Sequence, residues 1–174
     1  MRGFLNGIVF TLALFAGVAV VGVYTGALPA GADVTPPAIE KYAAKISLSA
    51  EISRQSAGVV NPLPATDENL VEGIKLYGAN CAVCHGAEDG KQSTLSKGLY
   101  IQAPQLATDG VEDDPDGVTF WKLDHGIRFS AMPAFGATLS KDDLWKIALF
   151  LKHMDKLPPS AEAAWKKIPS VAAS

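Results

Sequence analysis

Residues 81–85 read Cys81-Ala82-Val83-Cys84-His85, and no other feature of the chain restricts its fold as strongly. Two thiols three positions apart on one turn can each bond a vinyl group of a single porphyrin, and the adjacent imidazole is then aimed at the iron. The motif predicts one covalently attached haem c, with Cys81 and Cys84 as thioethers and His85 as an iron ligand. Such a pair has two other uses. A redox-active dithiol is expected beside a strand-helix-strand pattern, and none is visible here. A structural zinc site needs four ligands, usually two such pairs. This chain has 2 cysteines, and its other histidines, His125 and His153, lack finger-like spacing.

A chain of 174 residues has room for one ordinary domain plus extensions. The net charge of -3 gives no basic footprint, so nucleic acid is not an expected partner. From Phe4 to Tyr24 the sequence is apolar apart from Asn6, Thr11 and small residues. That is about the 20 residues needed to cross a bilayer. Ala30-Gly31-Ala32 ahead of Asp33 also reads as a cleavage site, so residues 1–26 are a membrane anchor or a signal peptide. The run exceeds the usual apolar region of a signal peptide, roughly 7 to 15 residues, which favours the anchor. Arg2 holds the N-terminus inside and sends the rest across. Residues 27–66 carry Pro29, Pro36, Pro37, Pro62 and Pro64 and read as a tether; residues 38–55 have room for one or two short helices.

The domain proper is expected over residues 67–157. Thr66 is a candidate N-cap, with Asp67 and Glu68 in the first turn. Leu70, Ile74, Tyr77 and Cys81 follow at helical spacing on one face, so this helix delivers the haem motif. Gly73 interrupts it at a cost of about 1 kcal/mol relative to Ala, which points to a close approach by another helix. That partner starts at a Ser140/Asp143 capping box, carries Leu144, Ile147, Leu151 and Met154 in one stripe, and is stopped by Pro158-Pro159. A third helix is expected from Gly117 to His125, with Asp116 as cap, Gly126 as stop, and Phe120, Leu123 and Ile127 facing inward. The acidic run from Glu112 to Asp116 lacks the alternating ligands of a calcium loop and reads as solvated. No strand-like alternation appears. The tail, 158–174, can hold a short helix carrying Trp165.

The far side of the iron decides function. Met132, Met154, His125 and His153 are the candidate ligands. Met132 precedes Pro133, which keeps it out of helical geometry, and it lies in an irregular segment that can present its thioether. The other three are explained by helix packing and capping. Methionine opposite histidine raises the reduction potential.

At this point the chain resembles the class I cytochromes c. The matching elements are Gly73-x-x-x-Tyr77 before Cys81-Ala-Val-Cys84-His85-Gly86, Ala103-Pro104-x-Leu106 after it, Met132-Pro133, and the final helix with Ile147 to Leu151. Lys97-Gly98-Leu99-Tyr100 and His125-Gly126-Ile127-Arg128 look more narrowly like bacterial membrane-anchored or periplasmic monohaem cytochromes. The resemblance implies an all-α fold of three to four helices wrapped around one haem, behind an N-terminal transmembrane helix. It implies that the Pro104 carbonyl accepts a hydrogen bond from His85, that Leu106 packs on the porphyrin, and that Gly73 and Tyr77 pack against Ile147 and Phe150. The expected location is a bacterial inner membrane, spanned once, with the haem domain in the periplasm, or the periplasm itself after cleavage.

A haem with both axial positions filled has no place for substrate. The expected function is electron transfer between a donor and an acceptor protein, not enzymatic catalysis, with partners meeting the apolar residues around Met132 and Cys84. Trp121 and Arg128 are candidate hydrogen-bond donors to the haem propionates. Two other readings stay open: a haem subunit of a larger respiratory or dehydrogenase complex, and a gas-binding or peroxidatic haem protein with an open sixth position.

Overall fold

Helix α1 (Arg2–Tyr24) buries nothing: its side chains from Phe4 to Val23 are almost all exposed. It belongs to a unit, Met1–Val34, separate from the rest of the chain. By length and composition it can cross a membrane, a test that a signal sequence also passes. The computed structural model describes residues 2–27 and 29–171, which form helices and no strand.

The second unit, Thr35–Ser174, holds α2 (Ala38–Gln55), α3 (Asp67–Asn80), α4 (Ala82–His85), α5 (Thr94–Lys97), α6 (Asp116–His125), α7 (Lys141–Lys152) and α8 (Pro159–Trp165). Its centre is the crossing of α3 and α7. Ile74, Tyr77, Leu144, Ile147 and Phe150 are wholly enclosed there. Gly73 explains how the two backbones meet: a side-chain carbon at that position would lie 2.7 Å from the Lys146 carbonyl carbon and 3.1 Å from Phe150 Cβ. Both helix starts follow from their sequence. Thr66 accepts the Asn69 amide, and Ser140 and Asp143 form a reciprocal capping box.

Helix α6 packs against α7 through a stacked pair, Phe120 on Trp145, with ring centroids 3.9 Å apart. Its N-cap is Pro115, not Asp116 as the sequence suggests. The Asp116 carboxylate instead accepts the Asn61 amide at 3.1 Å, and the Asn61 side chain donates to the Trp145 carbonyl at 2.9 Å. Helix α7 ends at Lys152, six residues before Pro158 of the Pro158-Pro159 pair expected to stop it. The His153 ring bonds the Leu149 carbonyl at 2.9 Å and closes the last turn.

Two segments expected to flank the domain carry the helices the sequence allows and also pack against it. The stretch expected to be a tether contains a single continuous helix, α2, whose end is part of the second unit. Ile52 and Ser56 are buried, and Gln55 accepts the Trp121 indole N–H at 3.0 Å. The prolines that suggested a free linker confine the helix without keeping it away from the domain. The C-terminal tail also packs. Helix α8 buries Trp165 edge-on against Tyr77, centroids 5.3 Å apart, and against Phe150 at 5.0 Å. Ser160 caps the contact by donating to Asp67 at the start of α3.

Candidate haem site

The thiols sit where α3 breaks. Cys81 ends α3, and the next turn folds back so that the amides of Cys84 and His85 both bond the Cys81 carbonyl, at 3.0 and 2.9 Å. Cys81, Cys84 and His85 therefore leave from one turn, which is what attachment of two thioethers to one ring demands. Neither cysteine is in a disulfide. Cys81 is buried and Cys84 half-buried. Burial, with the neighbouring Cys84 thiol adding to it, pushes the Cys81 thiol up to about 12. Among the described residues no group of three or more His, Cys, Asp or Glu side chains is placed to hold a metal ion.

The turn is held from three sides. Tyr77, fully buried on α3, donates its hydroxyl to the Gly86 carbonyl at 2.9 Å. Ser93 donates to the Cys84 carbonyl at 3.2 Å, and the Leu106 amide bonds the His85 carbonyl at 3.3 Å. The loop that follows is closed by Ser96, whose hydroxyl bonds both the amide and the carbonyl of Ala103, at 3.0 and 3.1 Å. Ser93 and Ser96 are completely buried, an inside role for serine that sequence reasoning missed. Their spacing is the signal that could have found it, because Ser93 also caps the short helix α5 by accepting the Ser96 amide.

His85 Nδ1 lies 2.9 Å from the Pro104 carbonyl oxygen. A carbonyl only accepts, so Nδ1 carries the proton and Nε2 keeps its lone pair. Burial holds the His85 pKa below its ordinary value, against the opposing pull of that hydrogen bond and of Asp109. The ring is thus a neutral imidazole with one nitrogen committed and the other open, the form a metal ligand must have.

Met132 reaches the same apolar cluster from the other end of the chain. Cys81, Ala82, Leu106 and Leu123 are buried members of that cluster, and Met132 and Phe135 are half-buried against it. Its loop is tightly closed: the Ile127 amide bonds the Met132 carbonyl at 3.1 Å, and Ser130 links the Ile127 carbonyl to the Met132 amide. Gly126 makes this possible. Its φ of 66° ends α6, and a side-chain carbon there would lie 2.7 Å from both the Met132 carbonyl oxygen and the Ala134 nitrogen. The helix stop therefore rests directly on the Met132-Pro133-Ala134 backbone.

The donor set fits a haem: two free thiols and a neutral imidazole on one turn, with a thioether and Leu106 in the same apolar cluster. The two candidate propionate donors behave differently. Indole has a single N–H, and that of Trp121 is engaged by Gln55, so it has none to offer a propionate. The Trp121 ring instead stacks on His125, centroids 4.8 Å apart. Arg128 is exposed on the Met132 loop. Phe129 beside it is 92% exposed and is the one non-glycine at positive φ among the described residues.

No curated protein and no solved structure matches the chain. Residues 68–151 match the family model described as cytochrome C oxidase, cbb3-type, subunit III. This span begins at the first turn of α3, takes in the Cys81–His85 turn and the Met132 loop, and ends within α7. The match is to a class I cytochrome c-type domain and supports a monohaem c-type cytochrome over this span.

Proposed function

We propose that this protein carries single electrons between extracytoplasmic redox proteins through one haem c held by Cys81 and Cys84, with His85 and Met132 as axial ligands. The observation that carries this reading is the His85–Pro104 contact of 2.9 Å, which fixes the tautomer and leaves Nε2 as a ligand. When bound, the haem iron supplies a one-electron couple whose potential depends on axial ligands, burial and hydrogen bonding.

The chain's own residues do the rest. Tyr77 and Ser93 fix the carbonyls of the attachment turn, so the two thiols and the imidazole are carried on one held turn. Leu106 and the buried face of α3 would lie against a haem held there and keep water from it. Gly126 and Ser130 close the Met132 loop, so its thioether needs little ordering before it can ligate. A filled sixth position favours outer-sphere electron transfer over substrate chemistry. The apolar side chains that stay exposed near both ligand-bearing segments, Val83 and Phe129, form the surface for redox partners. We read α1 as a membrane anchor that keeps the domain at the outer face of a bacterial inner membrane; with the anchor removed, the same domain would serve as a soluble periplasmic carrier.

The visible spectrum tests the ligand set. Oxidised protein is expected to show a methionine-to-iron charge-transfer band, and Met132→Ala to lose it, lower the reduction potential and open the iron to carbon monoxide. A high-spin spectrum in the parent protein that responds to carbon monoxide would refute the closed iron and favour a gas-binding or peroxidatic role. A second reading rests on the family match, whose description names a subunit of an oxidase. If this chain is such a subunit, gentle detergent extraction followed by sizing returns it within a larger assembly, whereas a free carrier runs alone.

A further inference from the structure

Helix α2 lies outside the family match, yet its two ends are tied to opposite flanks of the haem site. At its C-terminal end Ile52 is buried, Gln55 holds the Trp121 indole, and the chain from Ser56 to Val59 lies so close over Gly117 that a side chain there would collide with it. Trp121 stacks on His125, the residue before the glycine that rests on the Met132 loop. At the other end the Glu40 carboxylate accepts the Tyr100 hydroxyl, with both oxygens at 2.9 Å. Tyr100 stands four residues before Pro104, whose carbonyl fixes His85. Between the ties, about 22 Å of helix runs from the His85 flank to the Met132 flank at roughly 1.5 Å per residue.

Residues 41, 45, 48 and 52 share one face of this helix by its 3.6-residue period. Ile52 is buried, Leu48 half-buried, and Lys45 and Lys41 are exposed, so contact fades toward the middle and start of the span. Ile52 fixes the inward direction at the C-terminal end; Ile46 and Ile39 lie roughly 120° and 140° round the helix from it and Tyr42 roughly 80°, and all three are exposed. Two lysines four apart repel each other. Among the described residues, neither the Lys41 nor the Lys45 side chain makes a hydrogen bond or an ion pair; the Lys41 amide bonds the Pro37 carbonyl within the helix start. A cationic pair on the inner face of a helix that crosses the rim of a haem site suits an anion on that rim. Haem has two, its propionate carboxylates.

We propose that α2 is a strap across the propionate edge of the haem, and that Lys41 and Lys45 supply the positive charge facing it. The proposal rests on the haem reading above. It places the counter-charge on a segment outside the family match, where Trp121 cannot serve, and it leaves electron exchange to the side that bears Val83 and Phe129.

The test is equilibrium redox titration of the full-length, haem-loaded protein at low ionic strength. The visible spectrum of each variant first reports that haem is attached. Removing positive charge beside the propionates favours the oxidised iron, so Lys41→Gln with Lys45→Gln is expected to lower the midpoint. The shift should shrink as salt is added, because exposed charges are screened. Lys167→Gln, an exposed lysine of the tail, should leave the midpoint unchanged. Gln55→Ala with Tyr100→Phe releases both ties; this variant should show a lowered midpoint of its own, and the lysine changes should then add little to it. An unshifted midpoint in a haem-loaded lysine variant overturns the counter-charge. A full lysine effect in the released background overturns the strap. Absence of covalent haem from the parent protein overturns the haem reading itself, an outcome the spectrum separates from the other two.

Discussion

Tyr77 shows how much one side chain does here. It sits at the α3–α7 crossing, meets Phe150 edge-on, and hydrogen-bonds the Gly86 carbonyl. Tyr77→Phe keeps the ring but leaves a buried carbonyl unpaired, so denaturant unfolding should show a loss of about 1–3 kcal/mol. Burial raises the Tyr77 pKa far above its ordinary value. In the unfolded chain it ionises near about 10. Above that pH the unfolded state has released a proton that the folded state keeps, so stability falls as pH rises. Urea titrations from pH 8 to 11 should show this decline in the parent protein and a shallower one in Tyr77→Phe. The role of Tyr77 was only partly legible. Its place on the buried face followed from the spacing of Leu70, Ile74 and Cys81, but the Gly86 bond depends on a sharp turn after His85 that no periodicity encodes. Trp121 marks the other limit. An indole near a haem suggests a propionate donor, and only the docking of α2 reveals that Gln55 takes the N–H.

At the scale of elements, the best-read helices were those whose ends carry their own chemistry. Thr66, Ser140 and Asp143 fixed where α3 and α7 begin, because caps act within one turn. The far end of α7 was misplaced for the complementary reason: the helix is stopped by His153 folding onto Leu149, not by the nearest proline. Gly73 carries the sharpest element-level prediction. Alanine is the better helix former by about 1 kcal/mol, yet Gly73→Ala should destabilise the domain by about 1–3 kcal/mol, since the added carbon meets the Lys146 backbone and forces α3 from α7. Thermal unfolding followed by helix circular dichroism should show a lower midpoint; a higher one would mean that the crossing is looser than described. The tether was misread because Pro36, Pro37 and Pro62 were weighed as linker signals. Asn61 held the counter-evidence, but its bonds to Asp116 and Trp145 join segments far apart in sequence and leave no local pattern.

On the scale of the whole molecule, the second unit is closed by its two extensions, α2 from the front and α8 from the back. Trp165→Ala removes an aromatic packed on both Tyr77 and Phe150 and should cost about 3–5 kcal/mol in unfolding free energy. That large a cost would show that the tail belongs to the core. The intact mass of the purified protein reports two further points at once: a single haem addition, and survival of the first 32 residues if α1 is an anchor. The order of the chain has a consequence for how the cofactor gets in. Synthesis delivers the N-terminal part first, so the Cys81–His85 turn emerges before Phe150 and Trp165, which belong to the same buried cluster as Cys81. During that interval Cys81 belongs to an open peptide, accessible to a large planar ring and to whatever machinery installs it. Once α7 and α8 arrive, the same thiol is enclosed. With α7 and α8 last in the chain, there is an interval in which the Cys81 thiol is still open to modification.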